Sequence, residues 1–392
     1  MIVQQSPVHD TVEPLHHRTR FAKRPPFKST LLSFGFALLL ILPTLDQWLG
    51  LSANFKSPEK RILSTFPEAR FPHVITFVKQ FNTYYKENFG WRNALFYQYS
   101  QWKYKILKTS PLPDKVVIGN NHWFYPGNSM SHVADQHRGL HEFHPDTLAS
   151  IARHLSNFQR QFKAQGATLY ILVAPDSYSI YPENLPNYLP INAHVSNFDR
   201  FNDYMHQHTT IPVVDVRQAL IAAKADRVTY CQTDTHWNEY GSLLATLTMV
   251  NRLRKDFPKL PAARLTDYTI SPVPGVGGDL VTMLALNREL VDSIAYKIKP
   301  AKFLLAQNTE VIDNLEQGLP SQRFVTTSSQ LPKLLLIGDS FSFSMNQSLP
   351  GYFRESYLVR DHTCDMKLVK KEHPDIVVFE IVERNIGFLG HL

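Results

Sequence analysis

The sequence predicts an α/β three-layer sandwich with a mostly parallel sheet, preceded by one N-terminal transmembrane helix. Three observations support this prediction: an uncharged apolar run near the N-terminus, short β-branched runs that alternate with helical windows from about residue 112, and reactive side chains at the ends of predicted strands. Hydrophobic residues make up 43% of the 392 residues and charged residues 19%, which is typical of a globular body.

The N-terminal segment has the pattern of an uncleaved membrane anchor. Five Lys and Arg residues at positions 18–28 precede residues 31–45, which carry no charge, and an apolar continuation to residue 51 reaches the length of a bilayer core. A cleavable signal peptide is the weaker alternative, because the region before the apolar run is nearly 30 residues long and no convincing small-x-small cleavage site follows. The positive-inside rule predicts a cytoplasmic tail (1–29), a transmembrane helix (30–51) and a body in the periplasm of a bacterium, which makes this a single-pass inner-membrane protein.

Residues 52–111 are predicted to form a helical connector. Its first part, residues 59–73, is charged and interrupted by proline. Apolar and aromatic side chains then recur every three or four positions, which indicates one or two amphipathic helices broken near Gly90. Such a stripe usually packs in a core, so it suggests no catalytic role.

The main domain is predicted to cover residues 112–392. A helix is expected over residues 144–166, ended by Gly166 and followed by a buried strand at residues 167–175. Further strands are predicted in the segments KVVIG, HWFY, IPVVDV, RVTYC, KLLLIGDS, SYLVRDH and DIVVFEIVE. Because helical windows separate most of these strands, the sheet should be mostly parallel and covered on both faces.

The strand at residues 334–337 leads to a candidate nucleophile. It is fully apolar and is followed by Gly338, which allows a sharp turn, and by Ser340, where the next helix should begin. Reactive groups in parallel sheets gather at the carboxyl ends of strands. A hydroxyl there would lie near a helix dipole and near backbone N–H groups that can hold an oxyanion. The alternative is that Ser340 only caps the helix.

The segment YCQTDTHWNEYG supplies partners for that serine. His236 would take the proton of the Ser340 hydroxyl as general base, and Asp234 would fix the imidazole tautomer and stabilise the imidazolium. An Asp and a His two positions apart in an extended chain need not touch, so a turn around Thr235 is expected. Asn238 is predicted to cap the helix that follows and to hold this turn in place.

Composition and motifs argue against other kinds of site. Much of the net charge of +7 comes from the N-terminal basic segment, and no nucleic-acid-binding module is recognisable, so no nucleic acid partner is expected. The 17 histidines include no HExxH pair, and the chain has only two cysteines, so we expect neither a metal nor a cofactor. Cys231 and Cys364 either form a disulfide or remain buried thiols, and their spacing does not decide between these alternatives.

With these residues the chain resembles the membrane-anchored, SGNH-hydrolase-like O-acetyltransferases of exopolysaccharide systems, typified by the alginate and cellulose acetylation proteins. The resemblance runs from about residue 55 to the end. It is carried by EKRILSTFP, ENFGWRN, VVIGNNHWFYPG, VAPDSYSIYPENLP, TDTHWNEYG, GGDLVTML, LLIGDSFS and VVFEIVERN. It implies that Asp234, His236 and Ser340 form a catalytic triad, with the Asp-His pair ahead of the serine, the reverse of the order in ordinary SGNH hydrolases.

The resemblance also implies how acetyl groups arrive and leave. A multi-spanning membrane O-acyltransferase would relay the acetyl group, and a polysaccharide hydroxyl would be the final acceptor. Four side chains are candidates for lining a sugar groove, with packing as the alternative for the aromatic ones: Trp123, Tyr125, Trp237 and Arg384.

Two features of the sequence depart from the relatives' pattern. Relatives often carry Lys in the loop that follows VAP, whereas residues 175–178 here read PDSY. The Gly and Asn blocks that form the oxyanion hole of SGNH hydrolases have no counterpart in the sequence that we can locate. The amide of Ser340 is therefore the one candidate for an oxyanion donor.

The leading hypothesis from the sequence is a periplasm-facing polysaccharide O-acetyltransferase. An acetyl esterase with the same triad is the second hypothesis, and a catalytically silent subunit for polysaccharide assembly is the third. The complete set of Asp234, His236 and Ser340 counts against a silent subunit. The predicted anchor favours a membrane complex over a free esterase.

Overall fold

A computed structural model describes residues 27–50, 52, 63–191, 195–313, 320–361 and 366–391. Most of the predicted basic tail and Cys364 lie outside these ranges. Close contacts between Cα atoms divide the chain into two compact units. Within the described ranges, one consists of residues 27–50, 52 and 63–93, and the other of residues 94–191, 195–313, 320–361 and 366–391.

The α-helices of the described residues include those predicted in the connector, before Gly166, after Asn238 and at Ser340. They are α1 (Phe27–Leu49), α2 (Val74–Asn88), α3 (Arg92–Lys105), α4 (Val133–His137), α5 (Pro145–Lys163), α6 (Ser177–Ile180), α7 (Asn197–His208), α8 (Arg217–Ala223), α9 (Glu239–Asp256), α10 (Asp279–Met283), α11 (Ser340–Phe343) and α12 (Met366–Glu372). The predicted break near Gly90 lies between α2 and α3. The predicted helix before Gly166 is α5, and Gly166 itself has a φ of +81°, which favours glycine.

The β-strands form three sheets. They are β1 (Val116–Ile118), β2 (Phe124–Pro126), β3 (Thr168–Ala174), β4 (Val213–Asp215), β5 (Tyr268–Val273), β6 (Ala295–Pro300), β7 (Gln307–Ile312), β8 (Ser321–Val325), β9 (Lys333–Gly338), β10 (Glu355–Arg360) and β11 (Ile376–Val382). Antiparallel pairs join β1 to β2 and β5 to β6. The other seven strands form one mixed sheet in the order β4, β3, β11, β9, β10, β8, β7.

The seven-stranded sheet is parallel over five neighbouring strands and antiparallel at one side. The pairs β4–β3, β3–β11, β11–β9 and β9–β10 are parallel, whereas β8 and β7 are added antiparallel beside β10. As a result, β3, β9 and β11 end at the same edge of the sheet. Short hydrophobic runs buried on both faces favour this arrangement.

The two faces of the sheet pack against different helices. Alternate residues of β3 point to opposite sides, so that Tyr170 and Leu172 join one buried cluster and Leu169 and Ile171 join the other. The first cluster also contains apolar side chains of α8 and α9, and the second contains side chains of α5 and α7. The main domain therefore has helices on both faces of a mixed sheet.

Two predictions about strands differ from the structure. RVTYC does not form a strand, because within it the one ladder contact is an isolated bridge between Tyr230 and Trp237. The strands β5, β6, β7 and β8 were not predicted. Strand β7 is exposed at every residue, so it lacks the buried apolar pattern on which a strand prediction depends.

Helix α1 includes a candidate membrane span, Lys28–Asp46, which is long and apolar enough to cross a bilayer by length and composition. The side chains of its central residues are largely exposed, as a lipid-facing helix requires. Such a helix alone is weak evidence for an anchor, since signal sequences have the same pattern. Helix α2, in the same unit, contains no buried residue.

Helix α9 begins just after the Asp-His segment (residues 233–237) and is capped as predicted. The side chain of Asn238 accepts a hydrogen bond from the Gly241 N–H at 2.9 Å and donates to the Val228 carbonyl at 2.7 Å. A Cβ atom on Gly241 would lie 2.0 Å from the Thr229 carbonyl oxygen, so only glycine fits in this first turn. Asn238 thereby joins the start of α9 to the chain that precedes the Asp-His segment.

We predict that Asn238→Ala lowers the free energy of unfolding by about 1–2 kcal/mol, because the helix loses its N-cap acceptor. Asn238→Asp is the matched control: it keeps the acceptor oxygen and should lose less stability. The measurement is a denaturant titration of the full chain in detergent. Equal stability of the wild-type and Asn238→Ala chains would contradict the capping role.

Candidate active site

The site begins at the carboxyl end of β9. Ser340 is the first residue of α11, and Asp339 caps this helix by accepting the Phe341 N–H at 2.9 Å. The other oxygen of Asp339 accepts the Val382 N–H at 2.8 Å, which ties the turn to the end of β11. Asp339 thus has a structural role in holding Ser340.

The helix predicted to begin at Ser340 is present but short. Helix α11 has four residues and continues as a 3-10 turn from Ser344 to Gln347. A macrodipole needs several aligned peptide units, so its contribution at Ser340 is smaller than expected. Gly338 is required at this turn because a Cβ atom there would lie 2.6 Å from a carboxylate oxygen of Glu380.

Asp234, His236 and Ser340 form a continuous hydrogen-bonded chain. Nε2 of His236 lies 2.6 Å from Oγ of Ser340, and Nδ1 of His236 lies 2.5 Å from Oδ1 of Asp234. An ionised carboxylate can only accept, so Nδ1 carries the proton and Nε2 is free to accept from the serine hydroxyl. The side chains of His236 and Asp234 are 27% and 22% exposed, so molecules from solvent can reach the site.

The predicted turn at Thr235 is confirmed. Oδ1 of Asp234 accepts the backbone N–H of His236 at 3.1 Å as well as the imidazole proton, so one carboxylate oxygen fixes both the main chain and the ring. The other oxygen of Asp234 accepts the backbone N–H of Asp279 at 2.7 Å. Asp234 is therefore fully hydrogen-bonded.

Two further aspartates hold the Asp-His segment, and both were missed from the sequence. Asp279 accepts the N–H and the hydroxyl of Thr235 at 2.8 and 2.7 Å. Asp292 accepts the N–H and the hydroxyl of Thr233 at 2.8 and 2.7 Å. The GGDLVTML motif, noted as a mark of family resemblance, contains Asp279. A Cβ atom on the preceding Gly278 would lie 2.4 Å from Cβ of Asp234.

The electrostatics of the pair favour an ionised aspartate and a basic histidine. Burial acts to raise the pKa of Asp234, but the hydrogen bond and charge of His236 outweigh it and hold this pKa below the ordinary value. Burial acts to lower the pKa of His236, but the hydrogen bond to Asp234 and the charges of Asp234 and Asp279 raise it above the ordinary value. His236 is thus a stronger base than a free imidazole.

The structure buries Trp123 and Tyr125, which the sequence had suggested for a sugar groove. Trp123 is 4% exposed and stacks on Tyr181 with 4.1 Å between the ring centroids. Tyr125 is fully buried and donates its hydroxyl proton to the Tyr181 carbonyl at 2.6 Å. A side chain must be accessible to stack on a sugar, so their burial favours the packing role.

Trp237 is also buried, and it packs directly behind the serine. Its indole N–H donates to the Phe341 carbonyl at 3.0 Å and lies 2.9 Å from the Ser344 hydroxyl. Its ring meets the Phe341 ring edge to face at 5.2 Å. Trp237 therefore fixes the segment after Ser340, and with 2% of its surface exposed it offers little area to a sugar.

Arg384 is held in a buried charged cluster at the same edge of the sheet. Its guanidinium donates to Asp176, which is completely buried, and lies 5.7 Å from the centroid of the Phe341 ring. His137 and Glu383 complete the cluster, with the His137 imidazole 3.8 Å from Asp176. The loop that departs from the relatives' pattern thus supplies the partner of Arg384, which points to an internal role for this arginine.

Among the described residues, two groups of side chains bring His and carboxylate ligand atoms within 4.8 Å of one another. The first group is His137, Asp176 and Glu383, and the second is Asp234, His236 and Asp279. In the first group Arg384 already supplies the positive charge, and Glu383 accepts from Asp176 and Ser179. In the second group the carboxylates accept protein N–H and hydroxyl groups. The positive charge of Arg384 beside the first group and the protein donors bound to the carboxylates of the second argue against a metal in either group.

Cys231 is a free thiol just ahead of the Asp-His segment. Burial, together with the nearby charges of Asp292 and Asp234, raises the pKa of this thiol well above its ordinary value. It is therefore a poor nucleophile at neutral pH.

The fold and the site together define an SGNH hydrolase-like domain. Residues 116–359 match the family described as "ALGX: SGNH hydrolase-like domain, acetyltransferase AlgX". This segment is more than half of the chain and includes Asp234, His236 and Ser340. The chain belongs to this family of AlgX-type acetyltransferase domains.

Curated relatives have related names. A protein of Azotobacter vinelandii named "Probable alginate O-acetylase AlgJ" is 24% identical over 243 residues, which cover 62% of this chain and 58% of that protein. A protein of the same name from Pseudomonas fluorescens is 22% identical over 322 residues, covering 78% of this chain and 76% of that protein. The chain thus matches little more than half of the Azotobacter relative.

Among solved structures, Bacillus cereus PatB1 is similar in fold. It is 13% identical, with a TM-score of 0.52, and the match covers 69% of this chain and 96% of PatB1. At this identity the likeness concerns the fold alone.

We predict that Asp176→Ala lowers the free energy of unfolding by about 3–5 kcal/mol, because it leaves the Arg384 guanidinium buried without its partner. Asp215→Ala is a matched control: the side chain of Asp215 is 27% exposed, and its partner Arg217 keeps a second ion pair with Asp199. Asp215→Ala should lower the free energy of unfolding much less than Asp176→Ala does. Denaturant titrations of both variants measure the difference, and equal losses would refute the buried ion pair.

Proposed function

We propose that this protein is an O-acetyltransferase that moves acetyl groups, through an acyl-enzyme on Ser340, onto hydroxyls of an exported polysaccharide. The observation that carries the proposal is the unbroken hydrogen-bonded chain from Asp234 through His236 to Ser340 at the carboxyl edge of the sheet. This arrangement supplies a nucleophile, a general base and a group that orients the base.

In the first half of the proposed reaction, the Ser340 oxygen attacks the carbonyl carbon of an acetyl donor while Nε2 of His236 takes the hydroxyl proton. The resulting tetrahedral oxyanion collapses, the bond to the donor's leaving oxygen breaks, and His236 gives its proton to that oxygen. Asp234 stays ionised and stabilises the imidazolium. An acetyl ester of Ser340 remains.

In the second half, a sugar hydroxyl replaces the donor. His236 removes the proton of the sugar hydroxyl, whose oxygen attacks the acetyl ester of Ser340. Collapse of the second tetrahedral intermediate forms the sugar acetate and returns the proton to Ser340. The backbone N–H of Ser340 is the proposed oxyanion donor in both halves, since the first N–H groups of a helix have no partner within the helix.

The proposal of a polysaccharide acceptor rests on the family and on relatives named as alginate O-acetylases. By the same reasoning, we propose that a multi-spanning membrane O-acyltransferase supplies the acetyl group. An acetyl esterase is the second candidate function. It is favoured by the partial exposure of His236 and Asp234, which lets water reach the site.

We further propose the membrane arrangement predicted from the sequence. Residues 1–29 would form a cytoplasmic tail, 30–51 a single-pass anchor in the bacterial inner membrane, 52–111 a helical connector, and 112–392 the catalytic domain in the periplasm. The candidate span in α1 supports the anchor. Attachment to the membrane would hold the catalytic domain close to a membrane-bound acetyl donor.

We predict that Ser340→Ala lowers kcat for acetyl release from a chromogenic acetyl ester by at least about 10³-fold, because the nucleophile is lost. Ser329→Ala changes an exposed serine and serves as the control. The full chain is assayed in detergent. Undiminished acetyl release by Ser340→Ala would refute the triad.

The same assay separates the transferase from the esterase. With oligosaccharide acceptors present, the transferase should form acetylated sugar, detected by mass spectrometry, at the expense of free acetate. Acetate formed at one rate with and without every acceptor, together with no acetylated sugar, would favour the esterase.

We predict that the full chain stays in the membrane pellet after an alkaline carbonate wash, whereas a chain that lacks residues 1–51 is released, because the apolar helix is its anchor. Fractionation and immunoblotting of both forms measure the distribution. Release of the full chain by the wash would refute the anchor.

A further inference from the structure

A second carboxylate lies beside the imidazole of His236. Oδ2 of Asp279 is 4.0 Å from Nδ1 of His236, the nitrogen that also contacts Asp234. Both oxygens of Asp279 accept from Thr235, one from its N–H and one from its hydroxyl. Burial and the charge of Asp234 raise the pKa of Asp279 above its ordinary value, and the charge of His236 and the two hydrogen bonds from Thr235 oppose this shift. Because a protonated oxygen would be a poorer acceptor, the two hydrogen bonds favour the ionised form.

We propose that Asp279 is a positioning residue that supplies a second counter-charge to the His236 imidazolium formed during acyl transfer. This inference rests on the proposed function for its catalytic meaning. Two negative charges near Nδ1 stabilise a protonated ring more than Asp234 alone, and they make Nε2 a stronger base toward the Ser340 hydroxyl.

The charge of Asp279 can be separated from its structural role. Its contact with the Asp234 carboxylate comes from its backbone N–H, so this contact is kept when the side chain changes. Replacing Asp279 by Asn preserves the size of the side chain and one oxygen acceptor but removes the negative charge.

Among the described residues, three charged groups influence the protonation of His236. Asp234 and Asp279 lie on the Nδ1 side and favour the protonated ring. The buried guanidinium of Arg384 acts in the opposite direction and favours the neutral ring. The Ser340 hydroxyl contacts Nε2 and is uncharged at neutral pH. Removing the charge of Asp279 therefore shifts the balance toward neutral imidazole.

Asp292 provides a matched control within the same segment. Like Asp279, it accepts one backbone N–H and one hydroxyl from a single threonine, at the same two distances. Among the described residues, the carboxylates within ion-pair distance of His236 are those of Asp234 and Asp279. Both donors bind one oxygen of Asp292, so Asp292→Asn can keep these bonds while it removes a negative charge that lies outside ion-pair distance of the imidazole.

The test follows the titration of His236 by NMR in the full chain in detergent, with ¹⁵N-labelled histidine and a His236→Asn chain for assignment. In Asp279→Asn the titration midpoint of His236 should move to lower pH by roughly half to one pH unit. The acid limb of kcat/KM for a chromogenic acetyl ester should move with it, and kcat on the plateau should fall about 3- to 10-fold. Asp292→Asn should retain both the wild-type midpoint and the wild-type acid limb.

An unchanged His236 midpoint in Asp279→Asn would overturn the inference. An equal shift in Asp292→Asn would also overturn it, because a charge outside ion-pair distance of the imidazole would then have the same effect as that of Asp279. The NMR readout does not depend on turnover. Full acetyl release by Ser340→Ala would count against the proposed function alone. The NMR titration of His236 would still decide whether Asp279 is coupled to the imidazole.

Discussion

Hydrogen bonds between the imidazole of His236 and two side chains, Asp234 and Ser340, join segments that are 104 residues apart in the sequence. The contact depends on the sheet. Strands β9 and β11 are buried along nearly their whole length and run parallel, so that they end at one edge. Asp339 bonds the turn that carries Ser340 to the end of β11. Packing of the sheet therefore determines where the serine lies, and the capped start of α9 determines where the histidine lies.

The Asp-His segment has almost no regular secondary structure of its own, and charged side chains from distant segments hold it instead. Asp279 and Asp292 each satisfy two donors of a threonine in this segment, and Gly278 allows close packing against Asp234. Several carboxylates near one imidazole repel each other, so each needs donors of its own. Hydrogen bonds to every carboxylate would keep the imidazole oriented, without reorganisation, during the proposed acyl transfer.

Strong local patterns allowed much of this to be predicted from the sequence. The apolar strands β3, β9 and β11, the helices α5 and α9 and the Asn238 cap all follow from periodicity or from capping residues. The roles of Asp279 and Arg384 could not be predicted, because their partners, Thr235 and Asp176, are 44 and 208 residues away in the sequence. Local patterns do not record such contacts. The same reason explains why the strand prediction for RVTYC was wrong. Its β-branched composition is typical of a strand, but among the described residues it forms only an isolated bridge.

The position of β11 has a consequence for how the molecule is made. It is the last of the described strands in the chain, yet it lies between β3 and β9 in the middle of the sheet. Pairing of strands so distant in sequence is slow, because a long loop must close before contacts form. The centre of the sheet is thus completed only when β11 pairs with β3 and β9. The turn before Ser340 gains its hydrogen bond from Val382 to Asp339 at the same stage. A partly synthesised chain that ends before β11 would carry Asp234, His236 and Ser340 and still lack an assembled site.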